Sequence, residues 1–183
     1  MTPTSPTFTA PGITTVEAAG LINTLQERLS ALNDLHLTLK HIHWNVVGPN
    51  FIGVHEMLDP QVELVRGYAD VLAERIATLG GSPRGTASAI ESERTWDDYS
   101  LSRDTAQAHL AALDIVYDGF IASHRQAIAA TGDPDPVTQD IFISQTAELE
   151  KFQWFVRAHL ESAAGSLPEG SSHTERGAAA TVR

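Results

Sequence analysis

Residues 15–47 read TVEAAGLINTLQERLSALNDLHLTLKHIHWNVV. Within them Leu25, Leu32, Leu39 and Val46 recur at heptad spacing, with Ile22, Leu29 and Ile42 interleaved. That spacing predicts one long helix from about Thr15 to Val47 with a stripe facing a core. Thr14 followed by Glu17 is a capping-box signature at its start, and Gly48-Pro49-Asn50 breaks it. A second helix is expected from about Ile52 to Leu79, with Val54, Leu58, Val62, Val65, Ala69, Leu72, Ile76 and Leu79 as its apolar positions. Gly80-Gly81-Ser82-Pro83 stops it.

Working outward, roughly twenty residues of connection follow, with a short turn expected around Ala87–Glu91. A third helix is predicted from about Leu101 to Ala130, ended by Gly132-Asp133-Pro134. The fourth starts near Asp135-Pro136, where an acidic cap and a first-turn proline both fit. It continues through Phe142, Leu149, Phe152, Phe155 and Val156 to about Ala164, with Gly165 as its stop. The expected architecture is all-α: a four-helix bundle over 15–165, with a long crossover carrying a short helix between helices two and three. Residues 1–14 are uncharged and contain Pro3, Pro6 and Pro11, so they read as a flexible arm, and residues 166–183 read as a flexible, unpatterned tail.

Composition narrows the function. The 183 residues are 42% hydrophobic and 19% charged, which suits a globular body, and no run approaches a membrane span. Twelve Lys and Arg against 23 Asp and Glu give a net charge of −11, the wrong sign for a generic nucleic-acid or anionic-membrane surface. Cysteine is absent, which removes disulfides, thiolate metal sites and thiol nucleophiles. No signal peptide is evident at the N-terminus, and a cytoplasmic location is expected, with nucleoid association as an option.

The chemistry concentrates at the first hairpin, where His36, His41, His43 and His55 fall close together. His43 lies shortly before the Gly48 break and His55 shortly after it, so an antiparallel hairpin brings both to one end of the bundle. At about 100° per residue, Asp59, Arg66, Asp70 and Glu74 lie about 40°, 20°, 60° and 100° around helix two from His55. A solvated polar face is the ordinary meaning of such a pattern. Against it, His55 with Asp59 and Asp70 with Glu74 are both i,i+4 pairs able to converge on an ion. Imidazole plus carboxylate without sulfur suits iron, zinc or manganese.

Distance then separates the pairs. Asp59 and Asp70 are about 16 Å apart along the axis, too far to serve one centre within one chain. Either each chain carries two sites, or two copies of helix two pack antiparallel about a two-fold axis so that each pair meets the other chain's second pair. Neither late helix contains Glu-x-x-His, so the usual di-iron site inside a bundle is missing. A site between subunits remains.

At this point the sequence resembles a known family. KHIHWNVVGPNFIGVHEMLDPQVELVRGYADVLAERIATLGGSP, residues 40–83, and ELEKFQWFVRAHLES, residues 148–162, are similar to the Dps proteins, small ferritins named for DNA protection in starved cells. The resemblance spans about 15–165, and the four helices with one long crossover are the pattern of a ferritin-like bundle. It implies His43, His55 and Asp59 as iron ligands from one subunit, with Asp70 and Glu74 supplied by its two-fold partner. It also implies a hollow dodecamer built from two-fold dimers that oxidises Fe(II), preferably with hydrogen peroxide, and stores the ferric mineral. Trp44 and Trp154 resemble the family's tryptophans near the site; core packing is their expected role, with protective electron donation as the alternative. Arg66 is expected to pair with Asp59 or Asp70 across the dyad.

Asp133, Asp135 and Asp140 cluster where helix three turns into helix four. Capping explains the first two, and a negatively charged three-fold pore drawing Fe(II) inward is the sharper expectation for all three. DNA is expected to be held weakly at most: the arm carries no charge, and in the tail Arg176 and Arg183 are balanced by Glu169 and Glu175. The alternatives are a nucleoid-compacting structural protein and a zinc or manganese carrier using the same ligands.

Overall fold

A computed structural model describes residues 6–162, 166–167 and 172–182. Helix α1 (Thr15–Asn45) runs straight into a two-residue strand β1 (Val46–Val47), and helix α2 (Phe51–Thr78) returns antiparallel. A short helix α3 (Ala87–Glu93) interrupts the crossover, and strand β2 (Asp104–Thr105) leads into α4 (Ala106–Thr131) and α5 (Pro136–Leu160). The capping box at α1 forms as read: Thr14 Oγ1 accepts from the Glu17 N–H at 3.2 Å, and Glu17 Oε2 accepts from the Thr14 N–H at 2.8 Å.

The apolar stripes meet as their spacing requires. Leu25, Leu29, Leu32, Leu39 and Ile42 of α1 and Val54, Leu58, Val62, Val65, Leu72 and Ile76 of α2 are buried, with Tyr117 and Phe142 fully enclosed from the second helix pair. Two helix ends differ from the sequence reading. Val46 and Val47 leave α1 to pair in parallel with Asp104 and Thr105, which also takes Leu101–Thr105 out of α4. Helix α5 ends at Leu160 rather than Ala164; the expected stop at Gly165 lies outside the described residues.

The crossover travels the length of the bundle strapped to α1. Gln26 both donates to the Arg84 carbonyl and accepts from its N–H, each at 2.9 Å. Further along, Ser30 donates to Glu93 at 2.6 Å, Trp96 Nε1 donates to Asp34 at 2.7 Å, and His41 meets the Leu101 carbonyl at 2.8 Å. The bonds from Gln26 and His41 satisfy crossover backbone at Arg84 and Leu101, and the other two pair side chains across the same seam.

Both chain ends are more engaged than an arm and a tail suggest. From Pro6 the N-terminal segment lacks regular structure, yet Ala10 and Ile13 pack on the core. Gly80 makes room for that segment: at φ +84 it closes α2, and a Cβ there would meet the Phe8 carbonyl oxygen at 2.1 Å. The Gly81 N–H reaches the Ile76 carbonyl at 2.9 Å and the Gly80 N–H the Ala77 carbonyl at 3.0 Å, a Schellman closure. At the other end, residues 175–181 are not unpatterned: helix α6 (Glu175–Thr181) forms, capped by Thr174, and buries Ala178 and Ala179, the latter packed with Ala108 and Ala112 of α4. Small side chains allow this close approach, and seven residues are too few to show a stripe.

Candidate metal centre

The last turn of α1 and the first turn of α2 are joined by a tight reversal in which Gly48 (φ +86) and Asn50 (φ +64) adopt left-handed backbone. Asn50 is one of the few non-glycine types that tolerates this conformation. The reversal sets His43 against His55. Their ring centroids lie 3.6 Å apart with the planes 22° from parallel. His43 Nδ1 lies 2.9 Å from the His55 carbonyl oxygen, and His55 Nδ1 lies 2.8 Å from the His43 carbonyl oxygen.

That reciprocal pairing decides the tautomers. A carbonyl only accepts, so each Nδ1 carries a proton, and the neutral form of each ring has its lone pair on Nε2. Two imidazoles so oriented offer two metal-binding nitrogens, with the opposite ring atoms already fixed by the backbone.

Asp59, one turn along α2 from His55, brings Oδ1 to 3.3 Å from His43 Nδ1 and 2.8 Å from Lys40 Nζ. The hydrogen bond from Lys40 holds the Asp59 carboxyl below the usual carboxylate range, with His43 a smaller contribution in the same direction. Lys40 escaped the sequence reading, although it stands one helical turn before His43, where a side chain shares its face. Two nitrogen lone pairs and an ionised carboxylate, without sulfur, form a donor set that suits Fe(II).

The remaining expected residues do not join this group within the chain. Asp70 and Glu74 are exposed further along α2, and among the described residues no group of three or more His, Asp and Glu side chains is placed to hold a metal ion. Arg66 is engaged by Glu63 at 3.2 Å on its own helix. Core packing fails for both site tryptophans: Trp44 is 70% and Trp154 60% exposed. Trp154 instead leans on Phe155, with ring centroids 5.2 Å apart.

The acidic cluster divides. Asp135 is only 3% exposed, accepts from the Val137 and Thr138 N–H groups at 3.2 Å each, and pairs with Arg75 Nη2 at 2.5 Å. Burial would raise its pKa, but hydrogen bonds from the Thr138 hydroxyl, Arg75 and the Val137 N–H outweigh it and hold the carboxyl low. It is a helix cap, and its side chain is committed to that role rather than to a channel. Asp133 and Asp140 are exposed.

Comparison with known proteins agrees with this architecture. The ferritin-like domain family matches residues 22–165. A DNA protection during starvation protein of Mycolicibacterium smegmatis is 64% identical over 176 residues, 96% of each chain. A solved structure of Mycobacterium smegmatis Dps superimposes with a TM-score of 0.91 at 63% identity, covering 97% of this chain and 99% of that one. A Dps structure from Streptomyces coelicolor gives 0.89 at 59% identity, covering 90% and 98%. With the family match spanning all four long helices and the likeness extending over nearly the whole chain, the protein belongs to the ferritin-like Dps family.

Proposed function

We propose that the protein oxidises Fe(II) with hydrogen peroxide at sites shared between two-fold related chains and stores the ferric product inside a hollow dodecamer. The observation that carries this is the separation of two half-sites along α2. His43, His55 and Asp59 stand at one end of α2, and Asp70 and Glu74 stand about 16 Å away on the same helix. Antiparallel packing of two α2 helices brings each half to the other's complement. Exposed Leu37, Trp44, Phe51, Ile52 and Val71 on α1 and α2 supply apolar surface for that contact.

In this reading iron is the substrate. The Nε2 atoms of His43 and His55 bind Fe(II), and Asp59 leaves Lys40 to join them. The partner's carboxylates complete the pocket and favour the ferric product, because hard oxygen donors hold the higher charge better. Two Fe(II) ions give one electron each to a peroxide, which takes up two protons and leaves as two water molecules. Oxidising both together avoids the one-electron step that releases hydroxyl radical. Asp133 and Asp140 remain as carboxylates for a negatively charged path inward; Asp135 is withdrawn from that role.

Protection of DNA in this reading is chemical, through removal of iron and peroxide. Of the two tail arginines, Arg176 is bonded to the Ser100 carbonyl at 3.3 Å, and Arg183 lies outside the described residues. The doubly substituted protein H55A/D59N tests the proposal. Iron-dependent peroxide consumption should fall by at least about tenfold, while the assembly keeps its size; unchanged consumption would overturn it.

A further inference from the structure

Outside the metal centre, a groove of about 720 Å³ runs between α1, α4, the crossover and the start of α6. Its walls mix polar and charged side chains with apolar and aromatic ones, Leu35, Val116, Phe120, Trp96 and Tyr99 among the latter. Arg28 of α1 lines it while only 9% exposed. The guanidinium carbon stands 5.8 Å from the Phe120 ring centroid, and Arg28 has no hydrogen bond or ion pair among the described residues. A buried cation is ordinarily paired, since desolvation is costly otherwise. Burial lowers the Arg28 pKa, and the charge of the neighbouring Glu27 offsets part of this.

Of the four carboxylates lining the same groove, Asp34, Asp98 and Glu175 are already in use, and Asp97 is exposed to solvent. Asp34 accepts from Trp96 Nε1 at 2.7 Å and from Arg94 at 3.3 Å. Asp98 is held by Arg94 at 3.1 Å, and Glu175 accepts from the Ser100 N–H at 2.6 Å. The unpaired buried charge is therefore positive, stands against the Phe120 ring, and carries five N–H donors in a planar fork. A groove of this volume is in the ordinary range for a small organic ligand.

We infer that this groove binds a small carboxylate with a flat apolar body, its carboxylate forked by Arg28 and its body lying along Phe120, Trp96 and Tyr99. The site is separate from the metal centre and does not depend on the iron reading above. Glu175 and Arg176 clasp the Ser100 peptide from both sides, so α6 forms one rim of the groove.

Equilibrium dialysis of the full-length assembled protein against 2-naphthoate tests this, with the neutral 2-naphthalenemethanol and inorganic phosphate as companions. Saturable naphthoate binding is expected, weakened at least about tenfold in R28L and at least about tenfold for the alcohol. Phosphate, which lacks an apolar body, should compete poorly. A second variant, S123W, narrows the groove while leaving Arg28 in place, and should also weaken binding. Naphthoate should raise the melting temperature of the native protein and not that of R28L, with iron oxidation unchanged in both. Equal binding to R28L, equal binding of the alcohol, or no saturable binding would overturn the inference. So would dissociation of R28L assemblies together with no naphthoate binding to the native protein, which would assign the guanidinium to a carboxylate of a neighbouring chain.

Discussion

Lys40 sets the resting state of the candidate iron pocket. Its ammonium holds Asp59 ionised and occupies the oxygen that a metal would need. Fe(II) binding then exchanges one cation for another at that carboxylate. K40M should bind Fe(II) severalfold more tightly at neutral pH, because the competing cation is gone. Its acid limit should move to higher pH, because Asp59 loses the partner that kept its pKa low. Titration of Fe(II) under anaerobic conditions at several pH values checks both; weaker binding at neutral pH would contradict the exchange.

A second residue-scale consequence concerns His124, fully buried between Phe120 and Phe142. Burial, with help from the Arg28 charge, lowers its pKa from 6.5 to about 3. The folded protein therefore keeps it neutral where an unfolded chain would take up a proton. Between about pH 6.5 and pH 3 the unfolded state binds more protons, so stability falls as pH falls through that window, by up to roughly 5 kcal/mol per chain. H124L should flatten this slope. Urea unfolding at pH 7 and pH 4.5 measures it, and an unchanged slope would place the acid sensitivity elsewhere.

At the scale of elements, Gly80 joins three parts of the chain: the end of α2, the start of the crossover and the N-terminal segment. Its positive φ and the 2.1 Å approach of the Phe8 carbonyl to any added Cβ leave no relaxed place for a side chain. G80A should cost about 1–2 kcal/mol from the left-handed backbone alone, and more as Phe8 is displaced. A melting temperature equal to the native protein's would contradict this. The long helices were legible because each carries several turns of one apolar period, and their caps obey local chemistry, as Thr14 with Glu17 and Asp135 with Pro136 illustrate. Helix α6 and the β1–β2 pair were not. Seven residues rich in alanine carry no stripe, and two-residue strands exist only because the crossover returns beside the end of α1. His43 and His55 could be placed together from the hairpin, yet their crossed backbone bonds and the role of Lys40 required the fold. Asp135 was ambiguous in sequence because an N-cap and a pore carboxylate look alike; Arg75, sixty residues away in the chain, resolves it.

For the whole molecule, the decisive property is incompleteness. In the proposed function one chain supplies half of a donor set at each end of α2, and among the described residues no group of three or more His, Asp and Glu side chains is placed to hold a metal ion. Activity should therefore belong to pairs of chains, and mixed assemblies read this out directly. Two inactive proteins are co-expressed, H55A/D59N and D70N/E74Q, and the mixed assemblies are isolated by two different affinity tags. With random mixing, about a quarter of the sites combine an intact His55/Asp59 half with an intact Asp70/Glu74 half. The account predicts that mixed assemblies recover about a quarter of the native rate of iron-dependent peroxide consumption, while each protein assembled alone stays inactive. Mixed assemblies as inactive as their parents would show that each chain builds its own site, and would contradict the shared pocket.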